Sequence, residues 1–247
     1  MKLSRAFYSF LSLFVMFYLT GLFADEIKTE KPSSEKAVQI LKDGNERFVQ
    51  GQGTHPHSGM DRVFLANKES QAKYAYATIL SCSDSRVPPE IIFDTGIMDI
   101  FVIRIAGNIS NTDEAASIEY GLFNVKTPLL IILGHSQCGA VSAVVQAKKG
   151  HAQKFEKNIP SLVDFIKPSV KRVMDSNPNM DEQKLLDLCV EENVCQSFEN
   201  LFIESPATRE LVKSGKIKAL GAIYDLSTGR VNWLSEGKVM QILDKVE

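Results

Sequence analysis

Two short segments about fifty residues apart carry residue types from which a metal centre can be made: Cys82-Ser-Asp84-Ser-Arg86 and His135-Ser-Gln-Cys138. A thiolate, a carboxylate, an imidazole and a second thiolate are all donors that Zn²⁺ accepts. A site that holds only some of them at once keeps a position open for chemistry. The pattern points to a zinc enzyme. A closed four-ligand structural site is the competing reading, but Asp is an unusual member of such a site, where Cys and His dominate. Ser85 and Ser136 offer hydroxyls, yet neither lies in the glycine pattern of a nucleophile elbow.

The elements around these segments must bring them together. Each follows a short apolar run of strand type, Tyr76–Ser81 before Cys82 and Pro128–Gly134 before His135. Further candidate strands are Ile100–Ile105, Ile217–Tyr224 and Val231–Leu234, the last two joined by a turn at Ser227-Thr228-Gly229. Short apolar runs alternating with longer helical stretches mark βαβ units, and the final short connection marks one antiparallel edge. The expected class is α/β: a mostly parallel β-sheet of four to five strands with one antiparallel edge strand, flanked by helices. In such sheets ligands lie beyond the carboxyl ends of strands, where strand order reverses. If the two strands are neighbours, their loops converge, with the Gly107-Asn108 loop as a third wall. Gly134 and Gly139 flank the His135 segment and permit a tight turn there.

The helices are legible from caps and spacing. Ser33 or Ser34 caps a helix carrying Ala37, Val38, Leu41, Phe48 and Val49 on one side and ending at Gly51-Gln-Gly53. Asn111 or Thr112 caps another through Lys126, with Asp113 and Glu114 at its positive end. Cys138–Lys149 reads as a helix on the sheet. A larger helical insert runs from Ile159 to Lys213, broken by Pro168, Pro178 and Pro206, and Gly215 reads as its stop. His55 and His57, separated by Pro56 and far from any cysteine, read as solvated loop residues, with a proton-shuttle role as the alternative.

Length and composition bound the rest. The chain has 247 residues, 44% apolar and 23% charged, enough for one sizeable core. Basic residues form no stripe with interleaved aromatics, so nucleic acid is excluded as the expected partner and a small molecule is favoured. Lys2 and Arg5 precede an uncharged apolar run from Ala6 to Ala24, followed by Asp25 and Glu26, the plan of a secretory signal cleaved after Ala24. Residues 1–24 are thus expected to be a leader and 25–247 a single domain with a flexible lead-in over 25–32. The mature protein is expected in the periplasm or otherwise exported. An uncleaved membrane anchor is the alternative, since an apolar run of about 18 residues can just span a bilayer. Removing the leader moves the formal charge from −2 to −4, which offers no attraction to a membrane surface. Export makes a disulfide the default reading of Cys82 and Cys138, but a bridge needs neither the Asp nor the His that accompanies them. Cys189 and Cys195 stand roughly 9 Å apart along a helix at 1.5 Å per residue, beyond disulfide reach, and read as thiols without function.

The segments Cys82-Ser-Asp-Ser-Arg-Val-Pro88, Arg104-Ile-Ala-Gly-Asn108, Ser117-Ile-Glu-Tyr120 and Gly134-His-Ser-Gln-Cys-Gly-Ala-Val141 closely resemble the β-class carbonic anhydrases. The likeness runs from Asn45-Glu-Arg-Phe48 to the last strands. It implies the β-carbonic anhydrase fold and one Zn²⁺ per chain on Cys82, His135 and Cys138. Asp84 then either binds as a fourth ligand or turns away to pair with Arg86. Two thiolates already cancel the charge of zinc, so an added carboxylate would close the site, and Arg86 offers it a bidentate alternative. The implied reaction is reversible hydration of CO₂ to bicarbonate and a proton by zinc-bound hydroxide, with Asp84 and Arg86 as the catalytic dyad. Gly107 and Gly139 are expected at the substrate. A related hydrolase acting on carbon disulfide, or a non-catalytic zinc- or bicarbonate-binding protein, is the alternative. The resemblance also implies a homodimer or higher homo-oligomer; Arg104 itself reads as a satisfied sheet-end arginine forming part of a dimer contact. Some bacterial members carry an inhibitory bicarbonate pocket with a tryptophan three residues before the first zinc cysteine. Ile79 stands there, and the single tryptophan is Trp233, so the open form of the site is expected.

Overall fold

Ser33 accepts a hydrogen bond from the Lys36 amide and starts helix α1, Ser34–Val49, which buries Ala37, Val38 and Leu41 on one side and ends just before Gly51. The computed structural model describes residues 31–151 and 153–246. The expected leader and most of the lead-in fall outside them; Lys31 donates to the carbonyls of Val125 and Lys126. No helix among the described residues is long and apolar enough to cross a membrane.

The sheet has five strands: β1 Ala77–Ser81, β2 Ile100–Arg104, β3 Leu129–His135, β4 Lys218–Tyr224 and β5 Val231–Trp233. Their order is β2-β1-β3-β4-β5, with β1–β2, β1–β3 and β3–β4 parallel and β4–β5 antiparallel. Every residue of β1 and β3 is buried, as befits central strands of a parallel sheet covered on both faces. Alternate side chains separate cleanly. Ile79, Ile131 and Leu133 pack with Ala37 and Leu41 of α1, whereas Leu80, Leu130 and Ile132 pack on the other face with Phe198, Leu201 and Phe202.

The last three side chains of that second layer belong to the longest helix. In chain order the helices after α1 are α2 Met60–Lys68, α3 Pro89–Ile92, α4 Thr112–Glu119, α5 Gly139–Lys148, α6 Ile159–Val163, α7 Lys167–Ser176, α8 Glu182–Glu204, α9 Pro206–Lys213 and α10 Glu236–Val246. Asn111 caps α4 in a full capping box with Glu114, but the helix does not run unbroken to Lys126. A π turn over Tyr120–Asn124 follows it, and Lys126 takes a left-handed φ of 61°. The prolines of the insert also act differently from the sequence expectation. Pro168 and Pro206 sit in the first turns of α7 and α9, where a missing N–H costs nothing, so they begin helices; Pro178 lies between α7 and α8.

The path of the chain fixes where a site can form. From β1 the chain steps outward to β2, then returns across β1 to lay down β3 on its other side. Strand order therefore reverses at the β1/β3 gap, the crevice where open α/β sheets bind ligands.

Candidate metal centre

Cys82 is the first residue past β1, and His135 is the last residue of β3 itself, one position further into the sheet than its sequence suggests. Cys138 caps the amino end of α5. The ligand atoms of Cys82, His135 and Cys138 lie within 4.8 Å of one another, and all three residues are buried. They form the one grouping of this kind among the described residues. All four cysteines are free, so the disulfide reading of Cys82 and Cys138 does not hold; Cys189 and Cys195 are buried in α8.

Neighbouring groups aim each donor inward. The Nδ1 of His135 is 2.9 Å from the carbonyl oxygen of Ser136, which sets Nδ1 as the donor and leaves Nε2 with a free lone pair. That Nε2 is buried and has no hydrogen-bond partner. Such an orphan is costly unless something occupies it. The Cys82 sulfur accepts from the amides of Asp84 at 3.4 Å and Gly107 at 3.3 Å. Cys138 stands against the amides of Ala140 and Val141 at the start of α5, a helix terminus that favours a thiolate.

The two thiols divide their acidity. The neighbouring Cys138 thiol, opposed by burial and aided by the backbone amides, pulls Cys82 down to about 4. The Cys82 thiolate and burial push Cys138 strongly up. One thiolate disfavours a second beside it, and a dication between them would offset that repulsion. Two thiolates and one neutral imidazole, with the imidazole lone pair unoccupied, fit Zn²⁺ with one position left.

Asp84 is beside this grouping without joining it. Its Oδ2 lies 4.0 Å from His135 Nε2. Both carboxylate oxygens are taken by Arg86: Nε donates to Oδ1 at 2.9 Å, Nη2 to Oδ2 at 2.7 Å, and the Arg86 amide to Oδ1 at 2.9 Å. That side-chain fork is the main reason the Asp84 carboxyl stays well below the usual carboxylate range. Arg104, legible in the sequence only as a sheet-end residue, donates from Nε to the Cys82 carbonyl at 3.0 Å and from Nη2 to the Asp84 carbonyl at 2.6 Å. It pins the loop that carries both residues.

The carbonic anhydrase family model matches residues 77–231. The chain belongs to the carbonic anhydrase family. It is 36% identical over 197 residues to the carbonic anhydrase of Mycolicibacterium smegmatis, covering 79% of this chain and 90% of that one. Carbonic anhydrase 2 of Mycobacterium tuberculosis is 34% identical over 197 residues, covering 78% and 89%. Among solved structures, the β-carbonic anhydrase CcaA is 27% identical with a TM-score of 0.62, covering 80% of this chain and 95% of that one. A tetrameric β-carbonic anhydrase of Sordaria macrospora shares the fold at 20% identity, with a TM-score of 0.62 and coverage of 81% and 98%. The enzyme is thus of the β class, and it catalyses zinc-dependent hydration of CO₂.

Two glycines flank the centre. Gly107 spends its N–H on the Cys82 sulfur, and Gly139 opens α5 with free space where a Cβ would stand. Ile79 is fully buried in β1, and Trp233 packs against Phe93 in the opposite half of the fold's sequence. His57 is exposed in its loop, as expected, and it also has a partner. Its Nδ1 lies 2.7 Å from Asp99, which also receives Arg62 at 3.1 Å. Asp99 immediately precedes β2, so this pair sits a strand's length from the metal centre, at the amino end of the sheet, and does not serve it as a proton shuttle.

The sequence missed Asn193 and Ser197. Both are buried polar residues of α8 whose side chains reach the Gly107-Asn108 turn. Their spacing of four on an otherwise apolar face was the available signal.

Proposed function

We propose that Cys82, His135 and Cys138 hold the zinc and that Asp84 and Arg86 form the gate that keeps its fourth position open. The observation that carries this is the geometry of Asp84: within reach of the donors, yet held on both oxygens by Arg86. Zinc in this place supplies the Lewis acidity that lets water act as a nucleophile near neutral pH, an effect for which carbonic anhydrases on three-histidine sites are the standing example. The chain's own residues do the rest. His135 keeps its proton on Nδ1 through Ser136 and so presents a neutral nitrogen. Asp84, ionised across the working range, offers an acceptor oxygen toward the open side. Ile109, Val141 and Ile166 line the buried cluster around the two cysteines and exclude bulk water. The open amide end of α5 at Gly139 is the place for a substrate oxygen.

Stopped-flow CO₂ hydration, measured with zinc content on the wild type and on Cys82→Ser, tests the assignment. Wild type should carry one zinc and be active, and Cys82→Ser should lose both. An active, zinc-replete Cys82→Ser protein would sink it.

Export and assembly complete the reading. Lys2, Arg5 and the apolar run to Ala24 support a bacterial leader removed to give a single domain from Asp25 in the periplasm. Mass spectrometry of the protein from a periplasmic extract should find Asp25 first; a chain beginning at Met1 in the cytoplasm would refute this. A homodimer is supported by β2, an edge strand among the described residues, where Phe101 packs at 5.9 Å on Tyr120 and Tyr120 and Phe123 stand 52% and 41% exposed. An apolar uncovered edge is a pairing surface. Light scattering should give twice the chain mass or a multiple of it, and a monomer at micromolar concentration would refute the dimer.

A further inference from the structure

We propose that Asn193 of α8 is a positioning residue for the zinc centre: by holding the Gly107 carbonyl it aims the Gly107 amide at the Cys82 sulfur and so sets how much charge that thiolate donates. The inference rests on the reading of Cys82 as a zinc ligand.

The Gly107-Asn108 turn is not self-supporting. Gly107 has φ 74° and ψ 16°, and Asn108 follows at φ 43°. Two successive left-handed residues, the second of them not glycine, persist only where surroundings over-determine them. A Cβ at Gly107 would stand 2.7 Å from Ile166 Cδ1, so the turn is also closed in from α7's side. One face of α8 provides the grip. Asn193 Nδ2 donates to the Gly107 carbonyl at 2.8 Å, and Ser197 Oγ, one helical turn on, lies 2.9 Å from both the Asn108 carbonyl and the carbonyl of Asn193, which share its one proton. Both are 1% exposed, so no water substitutes for them.

The consequence reaches the metal through one residue. Fixing the Gly107 carbonyl fixes ψ there and, with φ, the plane of the preceding amide, whose N–H meets Cys82 Sγ at 3.3 Å. An N–H···S bond draws charge from a thiolate, so less is passed to the metal. The other amide on this sulfur, that of Asp84, comes from the Cys82 loop itself and does not depend on α8. Asn193 thus tunes one bond and leaves its neighbour alone.

The test uses the full-length protein loaded with Co²⁺, read by its thiolate-to-cobalt charge-transfer band, and with Zn²⁺, read by chelator competition. Asn193→Ala should move the band to lower energy, because a thiolate without that bond gives up charge more easily, and should weaken zinc binding about tenfold, because a loosened turn no longer holds the sulfur in place and this loss outweighs the extra donation. Ser197→Ala, which loosens the same turn at the other carbonyl, should leave the band in place and the affinity within about twofold. Asn193→Ser, smaller but still polar, provides the same comparison if the alanine variant does not fold. A folded Asn193 variant with an unmoved band overturns the proposal, as does an equal shift in Ser197→Ala. If the wild-type cobalt protein lacks a thiolate band that Cys82→Ser diminishes, the ligand assignment fails instead, and the two failures are told apart.

Discussion

Replacing Arg86 by alanine should leave the zinc in place and close the site. The side chain supplies two of the three N–H donors on the Asp84 carboxylate, at 2.9 and 2.7 Å, and the third, from the Arg86 backbone, survives the substitution. Arg86 is half exposed, so each lost bond counts at a solvent-screened value, about a factor of five in equilibrium. Two such losses shift Asp84 about 25-fold away from its outward position and toward the donor atoms. The distance to cover is short, since Oδ2 already lies 4.0 Å from His135 Nε2. The expected result is a fall of up to about 25-fold in kcat/KM for CO₂ hydration near neutral pH, with zinc content unchanged because three ligands remain and a fourth becomes available. Arg86→Lys retains the charge without the fork and should recover only part of the loss. Stopped-flow rates paired with metal analysis on the same samples decide it. Activity within twofold of wild type on a zinc-replete Arg86→Ala protein would refute the gate; activity lost together with zinc would mean that Arg86 holds the metal loop.

The remaining predictions concern the frame around the centre. Chelator treatment should lower the melting temperature of the wild type, because ligand bound only to the folded state stabilises it, and should leave that of His135→Gln nearly unchanged; equal shifts in the two would contradict the ligand role. Asp94 is buried and receives Arg47 at 2.6 Å, the Thr54 amide and hydroxyl at 3.0 Å and the His55 amide at 2.8 Å. Burial alone would raise its carboxyl, but these donors outweigh it and hold the group well below the usual range. A depressed carboxyl stabilises the fold above its unfolded pKa of about 4 and loses that contribution as pH falls through the folded value. Asp94→Asn should therefore cost about 3 kcal/mol at neutral pH, with the gap to wild type narrowing below about pH 4; urea unfolding across pH would reveal a constant gap if this is wrong. Gly44→Ala should destabilise although alanine favours helix by about 1 kcal/mol. The added Cβ would stand 1.8 Å from the Phe93 carbonyl oxygen, a backbone clash costing about 3 kcal/mol, and a raised urea midpoint would contradict it.

Much of this enzyme is set by local chemistry and is therefore written in its sequence. Strand bounds were legible to within a residue because period-two burial against two covered faces demands apolar runs, as in Leu129–His135. The donor set was legible because a disulfide needs neither an Asp two residues after one cysteine nor a His three residues before the other, whereas a metal centre uses both donor types. Helices α2 and α10 carry weak sequence signals, the first because it buries little beyond Arg62, the second because its buried stripe is short, only Val239, Ile242 and Leu243. Tertiary structure alone decided what depends on distant segments meeting. Strand order places β1 beside β3 and so brings Cys82 to His135. Arg104 pins the loop that carries Cys82 and Asp84 from the end of β2. The Cys82 sulfur owes one of its hydrogen bonds to a turn that Asn193 holds from 86 residues away. Residue types fix which atoms can bind and react; long-range packing fixes where those atoms point, because orientation is enforced by partners that no local pattern records.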